Sequence, residues 1–267
     1  MLTPAIRLKE KLASGAPVVG AMATDHVWPL LVELCQQGGL DYLVIDREHG
    51  CHTDETVAHV CQVARLADFP VIMRTVSCEM SEVRRAMDMG PCGLLLPCVE
   101  SVADLDSARD AIHMPPRGKR RPGGMGNYWM NDFHYATWRD DLEEHFIVIP
   151  QIETRAGVDN VQAIVSHPLV TALGLGPYDL SADMGCCWDP DDADHRDAIL
   201  RIRAAADAAG KKMWICGDVS RLVAEGYTFL WIGTVSILLK NTFADAVATI
   251  RGDSGREARG AASPPPA

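Results

Sequence analysis

The sequence predicts a closed (β/α)8 barrel, and three observations carry that expectation. Short apolar runs of strand length alternate with longer segments of helical period along the whole chain. The short runs are continuously apolar rather than alternating, which means burial on both faces and a parallel sheet. Eight such strand and helix pairs follow one another in the 267 residues, the count and length of a barrel that closes on itself. An open doubly wound sheet is the alternative, but its G-x-G-x-x-G fingerprint is missing from the first turn.

The elements run in order. APVVGAMAT (16–24) is the first strand, and HVWPLLVELCQQGG after it stops on glycine. YLVID is the second, followed by the helix in TDETVAHVCQVARLAD, for which Thr53 is a good N-cap. PVIMRTV (70–76) precedes the helix SEVRRAMDMG, and GLLLPCV precedes SVADLDSARDAIH, which must end before Pro115 and Pro116. FIVIPQIE (146–153) is paired with the helix AGVDNVQAIVSH, and VTALGLG (170–176) with DADHRDAILRIRAAADAAG. KKMWICG with VSRLVAEG, then FLWIGT with SILLKNTFADAVATI, complete the eight. The domain expected is residues 1–252, with GDSGREARGAASPPPA ending the chain as a disordered tail over 253–267.

One connection breaks the pattern. Residues 114–145 separate the fourth helix from the fifth strand, where 2–6 residues are usual. Such a length marks either a functional loop or a surface excursion that shields the bottom of the barrel. Its aromatic cluster, Tyr128, Trp129, Phe133 and Tyr135, either covers a substrate or packs the connection.

Composition excludes several classes of partner. A net charge of −11, spread along the chain, opposes binding to nucleic acid or to an anionic membrane. The N-terminus is amphipathic and lacks the apolar core of a secretory signal, and no run reaches the ~18 apolar residues of a spanning helix. Nine cysteines without a C-x-x-C pair signal neither a disulfide framework nor a structural zinc site. Reduced thiols in a cytoplasmic protein are expected.

In a (β/α)8 barrel the chemistry sits at the C-terminal ends of the strands. Strand two delivers Asp46, Glu48 and His49 there, strand three Arg74, strand five Gln151 and Glu153, and strand six Asp179. Strands one, four, seven and eight offer Thr24, Cys98, Cys216 and Thr234. Glu153 and Asp179 form a hard-oxygen pair that suits Mg²⁺ or Mn²⁺ and leaves coordination positions to water and substrate. The bland readings are an N-cap at Asp179 for a short helix from Leu180, and a surface pair of Glu153 with Arg155. His49 is either a loop histidine or, beside Asp46 and Glu48, a general acid/base. Arg74 interrupts an apolar strand and needs an anionic partner, either Asp46 in a buried pair or an oxyanion that it stabilises.

The lysines decide against imine chemistry. The six are Lys9, Lys11, Lys119, Lys211, Lys212 and Lys240, and none is expected at the C-terminal end of a strand, although Lys119 lies in the long connection. Carbonyl chemistry here would use a metal as electron sink. No G-x-S-x-G elbow or P-loop competes with that reading.

IDREHG, the arginine of PVIMRTV, PPRGKR, QIETRAGVDN and GLGPYDLSADMG resemble, in order and spacing, the metal-dependent pyruvate aldolases of the HpcH/HpaI family. The similarity covers roughly residues 14–250. It implies a barrel of the phosphoenolpyruvate/pyruvate type and reversible cleavage of a 4-hydroxy-2-oxo acid to pyruvate and an aldehyde. It also implies a divalent cation (Mg, Mn or Co) on Glu153 and Asp179, Arg74 on the keto or enolate oxygen, and His49 in acid/base work. Asp46 would stand behind them. Gln151, Gly176, Pro177 and Tyr178 would help to hold the substrate. Asp88 would reach the histidine of a neighbouring subunit, within a homohexamer whose last helices are exchanged. The chain departs from the family at GKRRPGGMG, where relatives carry a G-x-R-G-x-G-like stretch, and at Val235, where they often carry aspartate. Both departures bear on the aldehyde. The alternatives are an acyl-CoA lyase or oxaloacetate decarboxylase of the same barrel, or a non-catalytic binding barrel.

Overall fold

The computed structural model describes residues 2–121, 123–130, 134–187, 189 and 191–252. Phe133 and the expected tail over 253–267 lie outside the described residues.

The eight strands are β1 (Val18–Ala23), β2 (Tyr42–Asp46), β3 (Val71–Arg74), β4 (Gly93–Leu96), β5 (Ile147–Ile152), β6 (Leu173–Leu175), β7 (Met213–Ile215) and β8 (Phe229–Thr234). All pair in parallel in chain order, and β8 closes on β1. The continuous apolar runs are buried along β2 to β7, as two-sided burial requires.

The interior is packed by large side chains, not left as a channel. The Tyr42 hydroxyl donates to the Leu230 carbonyl at 2.7 Å and accepts from the Trp214 indole N–H at 2.8 Å. Its ring meets Phe229 edge-on at 5.2 Å, while Trp214 stacks on Trp231 at 5.4 Å. Gly20 makes room for the tyrosine, because a Cβ there would overlap the ring.

Helices α1 (Thr3–Ser14), α2 (Leu30–Gln37), α3 (Asp54–Leu66), α4 (Met80–Met89) and α5 (Val102–Ile112) begin the outer layer. Thr53 caps α3 as expected, its hydroxyl accepting the Thr56 N–H. Ser101 and Asp104 form a capping box on α5. After β5, AGVDNVQAIVSH does not form one helix. Asn160 leaves helical geometry and divides it into α7 (Arg155–Asp159) and α8 (Val161–Ser166), numbered after α6 (Tyr135–Trp138). Next come α9 (Pro177–Asp183), α10 (Ala193–Ala208), α11 (Val219–Ala224) and α12 (Val235–Arg251).

The long connection resolves as the shielding alternative within one chain. Its described residues pack on the N-terminal face of the barrel, away from the strand C-termini. Arg120 donates to Asp88 at 2.8 Å near the end of α4, and the Trp129 indole donates to the Gly90 carbonyl at 3.1 Å. Glu143 accepts the Met114 N–H, and Arg65 lies over the Tyr128 and Trp129 rings. Trp129 is thus buried in the connection and Tyr128 lies beside Arg65, both away from this chain's own barrel mouth, while Tyr135 is exposed.

Helix α12 is less well covered than the rest. Of its 17 residues only Val235 is buried, and Leu239, Phe243, Val247 and Ile250 are exposed in a stripe at helical spacing. No helix among the described residues is long and apolar enough to cross a membrane.

Candidate active site

The barrel mouth is organised from β2 and β3. Their register sets Asp46 opposite Arg74, so two side chains on one face of adjacent strands meet. Arg74 Nε donates to Asp46 Oδ1 at 2.8 Å and Nη2 to Oδ2 at 2.6 Å, a two-pronged pair with both side chains buried. Thr24, just past β1, donates to Asp46 Oδ2 at 2.8 Å. The backbone N–H groups of Glu48 and His49 donate to Oδ1 at 3.0 and 3.3 Å. Burial pushes the Asp46 carboxyl up, but the bonds and charge of Arg74 outweigh it and leave the group below the usual carboxylate range. Asp46 is thus fully used in shaping the turn that carries Glu48 and His49. The buried pair that was one of two readings of Arg74 is present. Gly50 closes the turn, where a Cβ would collide with the Asp46 and Thr24 carbonyls.

Arg74 keeps one arm for the mouth. Its Nη1 lies 3.2 Å from Glu48 Oε2. The same Glu48 oxygen is 3.9 Å from His49 Nε2, and the His49 side chain is 60% exposed, open to the mouth. Burial raises the Glu48 carboxyl, with Asp46 and Asp179 adding repulsion and Arg74 and His49 opposing it.

Glu153 follows the end of β5 and shares a face with Gln151, two residues earlier. It is 2% exposed, and its Oε2 accepts the Cys98 backbone N–H at 2.8 Å. Cys98 has a left-handed backbone, φ 49°, an uncommon conformation for a residue with a Cβ, and this bend turns its N–H toward the carboxylate. Gly176, at the end of the β6 run, leaves the space that Glu153 occupies, since a Cβ there would overlap the carboxyl. The surface pair of Glu153 with Arg155, the bland alternative to metal ligation, is not formed. Arg155 instead donates to the Met184 carbonyl, and Glu153 points inward.

Asp179 is not an N-cap. The helix starts two residues earlier, at Pro177, with Gly176 as its cap, because proline's fixed φ suits the first helical position. Asp179 stands in the first turn of α9, exposed and without a hydrogen bond or ion pair among the described residues. Tyr178 precedes it, half-buried, its hydroxyl pushed up to about 12 by burial.

The arrangement has a specific electrostatic fault. Burial pushes the Glu153 carboxyl up to about 7, and the charges of Glu48 and Asp179 add to the rise. Three carboxylates converge with one arginine arm, while Gln151 Oε1 is buried without a hydrogen-bond partner. A cation would relieve that repulsion, and the donors are the hard oxygens that Mg²⁺ or Mn²⁺ prefers. Among the described residues no three Asp, Glu, His or Cys side chains make a ready cage. The fit is to a site of few protein ligands, open to water and substrate.

Asp88 is the expected residue that the fold does not bring here. It lies near the C-terminal end of α4, on the opposite face of the barrel, paired with Arg120. Thr24, Cys98 and Glu48 were visible in the sequence as strand-end residues. Their tasks were not, because a left-handed N–H or a shared arginine leaves no mark in residue type.

The comparisons with known proteins agree with this geometry. The profile of the HpcH/HpaI aldolase/citrate lyase family matches residues 26–241. A hydroxypyruvate/pyruvate aldolase of Roseovarius nubinhibens is 31% identical over 95% of this chain and 100% of its own. A 2-keto-3-deoxy-L-rhamnonate aldolase of Klebsiella pneumoniae is 30% identical over 85% of this chain and 86% of its own. The crystal structure of an HpcH/HpaI aldolase from Desulfitobacterium hafniense superposes with a TM-score of 0.83 at 27% identity, covering 94% of this chain and 98% of that one. With the closed parallel barrel and a matched segment that contains Asp46, Glu48, His49, Arg74, Glu153 and Asp179, the chain belongs to the HpcH/HpaI aldolase/citrate lyase family and is a carbon–carbon lyase of the aldolase type.

Proposed function

We propose that the chain is a divalent-metal-dependent aldolase that reversibly cleaves a 4-hydroxy-2-oxo acid to pyruvate and an aldehyde. The observation that carries this reading is the convergence of Glu153, Asp179 and Glu48 beside the arm of Arg74 that faces Glu48. Glu153 and Asp179 would hold the cation, whose charge, when bound, polarises the 2-oxo acid carbonyl and acidifies C3. Arg74 Nη1 donates to the carbonyl oxygen that gains negative charge as the C3–C4 bond breaks. The exposed His49 ring takes the C4 hydroxyl proton in cleavage and returns it in synthesis. Gln151 and the backbone N–H groups of Tyr178 and Asp179 bind the substrate carboxylate beside Gly176 and Pro177, at the start of α9.

The chain acts as a subunit of a homo-oligomer, a hexamer by its resemblance to the family. The exposed stripe on α12 supports association. Asp88, remote from its own His49, has a catalytic task only if it faces a neighbour's histidine.

Incubation with Mg²⁺ or Mn²⁺, pyruvate and a panel of hydroxyaldehydes tests the reading. Aldol product that disappears on chelation and in Glu153→Ala is expected. Decarboxylation of oxaloacetate without any aldol product across the panel would replace this reading with the decarboxylase alternative.

A further inference from the structure

A second cavity lies on the opposite face of the barrel from the active site. It encloses about 730 Å³, within the range of small-molecule sites. Its walls come from α1, the end of α5, the end of the long connection, and the segments that lead into β6 and β7. All of these lie at the N-terminal ends of the strands.

The charges in it are unevenly compensated. Arg117 is neutralised by Glu144 at 2.5 Å and Glu143 at 3.6 Å. Arg109 is likewise held by Asp106 and Asp110. The three lysines that line the cavity, Lys9, Lys211 and Lys212, have no carboxylate within ion-pairing distance among the described residues. Lys9 Nζ reaches only the Glu144 carbonyl at 3.3 Å, and Lys211 Nζ only the Val165 and His167 carbonyls, where it caps the end of α8. Lys212 makes no side-chain hydrogen bond among the described residues. In a chain with a net charge of −11, three uncompensated ammonium groups around one cavity are against the general trend.

A separate feature points to a ligand. His113 lines the same cavity, is 7% exposed, and keeps its Nδ1 buried without a partner. A buried polar atom left unpaired is unfavourable unless something bonds to it. Burial also lowers the ammonium groups of Lys9 and Lys211, with the Glu144 carboxylate partly opposing it at Lys9. Phe146 and Leu169 supply an apolar wall. The volume exceeds what a bare inorganic ion needs, so an organic body fits beside the charge.

We propose that this cavity binds a small organic polyanion, its phosphate or carboxylate oxygens held by Lys9, Lys211 and Lys212 with His113 completing the set. The site is separate from the catalytic one and lies at the other ends of the strands, with β5, β6 and β7 running from the cavity side toward the mouth.

Isothermal titration of the full chain with inorganic phosphate, a sugar phosphate and citrate tests this and separates phosphate from carboxylate chemistry. Saturable binding is expected to at least one probe, weakened about tenfold or more in Lys9→Gln/Lys212→Gln. Arg74→Lys, at the other face, is expected to bind the probe unchanged. Lys211 is left intact because it also caps α8, and unaltered thermal melting of the unliganded double variant certifies its fold. No saturable binding of any probe overturns the proposal. So does binding that survives the lysine changes or disappears in Arg74→Lys.

Discussion

At the scale of single residues, Asp46 and Glu153 are both buried carboxylates but have opposite dependences on pH. Asp46 is held ionised by Arg74, and Glu153 is pushed up to about 7 from an ordinary 4.5. A raised folded value means that the folded chain binds the proton more tightly than the unfolded chain. The contribution of Glu153 is therefore fully present below pH 4.5 and lost as the pH rises through about 7. The span corresponds to about 3 kcal/mol. Glu153→Gln should remove this component, so the stability of the metal-free variant relative to the parent rises across that window in urea denaturation. Parallel curves would count against the inward, uncompensated placement of Glu153. For Asp46 the partner matters more than the proton. Arg74→Ala leaves a carboxylate of 0% exposure unpaired and should cost about 3–5 kcal/mol. Arg74→Ala/Asp46→Asn should recover part of that loss, and a double-mutant cycle in urea measures the coupling. The short run DREHG thereby divides its tasks. Asp46 fixes the backbone of the turn, Glu48 faces the other carboxylates, and the His49 ring is left open to the mouth.

At the scale of elements, the strands were legible because burial on both faces leaves continuous apolar runs that helices and loops lack. Thr53 was legible as a cap because its hydroxyl acts on neighbours three residues away. What sequence did not show was set by longer-range contacts or by a single backbone angle. Nothing in AGVDNVQAIVSH marks the break at Asn160, and nothing in LPCVE shows that Cys98 turns its N–H onto Glu153, 55 residues later. Of the two readings of Asp179, the N-cap falls because Pro177, two residues earlier, already opens α9. The exposed apolar stripe on α12 suits the exchange of last helices that the family resemblance implies. Phe243, 65% exposed in the middle of the stripe, is the place to test it. Phe243→Glu should shift the chain from oligomer to smaller species in light scattering after size exclusion, with little change in helical circular dichroism. An unchanged mass would remove α12 from the interface.

At the scale of the whole molecule, the barrel separates its tasks by face. The C-terminal face converges carboxylates that repel one another, and the N-terminal face gathers lysines that no carboxylate contacts among the described residues, two of them lowered by burial. Each face stores unfavourable electrostatics that a core of Tyr42, Trp214, Phe229 and the apolar strands must outweigh. Such a molecule should respond strongly to ligands of the right charge, because anything that binds the folded chain alone stabilises it by mass action. For a cation at a hundredfold excess over its dissociation constant the gain is about 2.7 kcal/mol. In a chain of this length that corresponds to a rise in Tm of roughly 5–10 °C. Mg²⁺ or Mn²⁺ should therefore raise the melting temperature of the chelator-treated protein, and Glu153→Gln should abolish most of the rise. Because Glu153 must ionise to accept the cation, the rise should be smaller at pH 5 than at pH 8, its protonation being centred near 7. An equal rise at both pH values, or one retained in Glu153→Gln, would place the cation elsewhere in the molecule and separate the carboxylate cluster from metal binding.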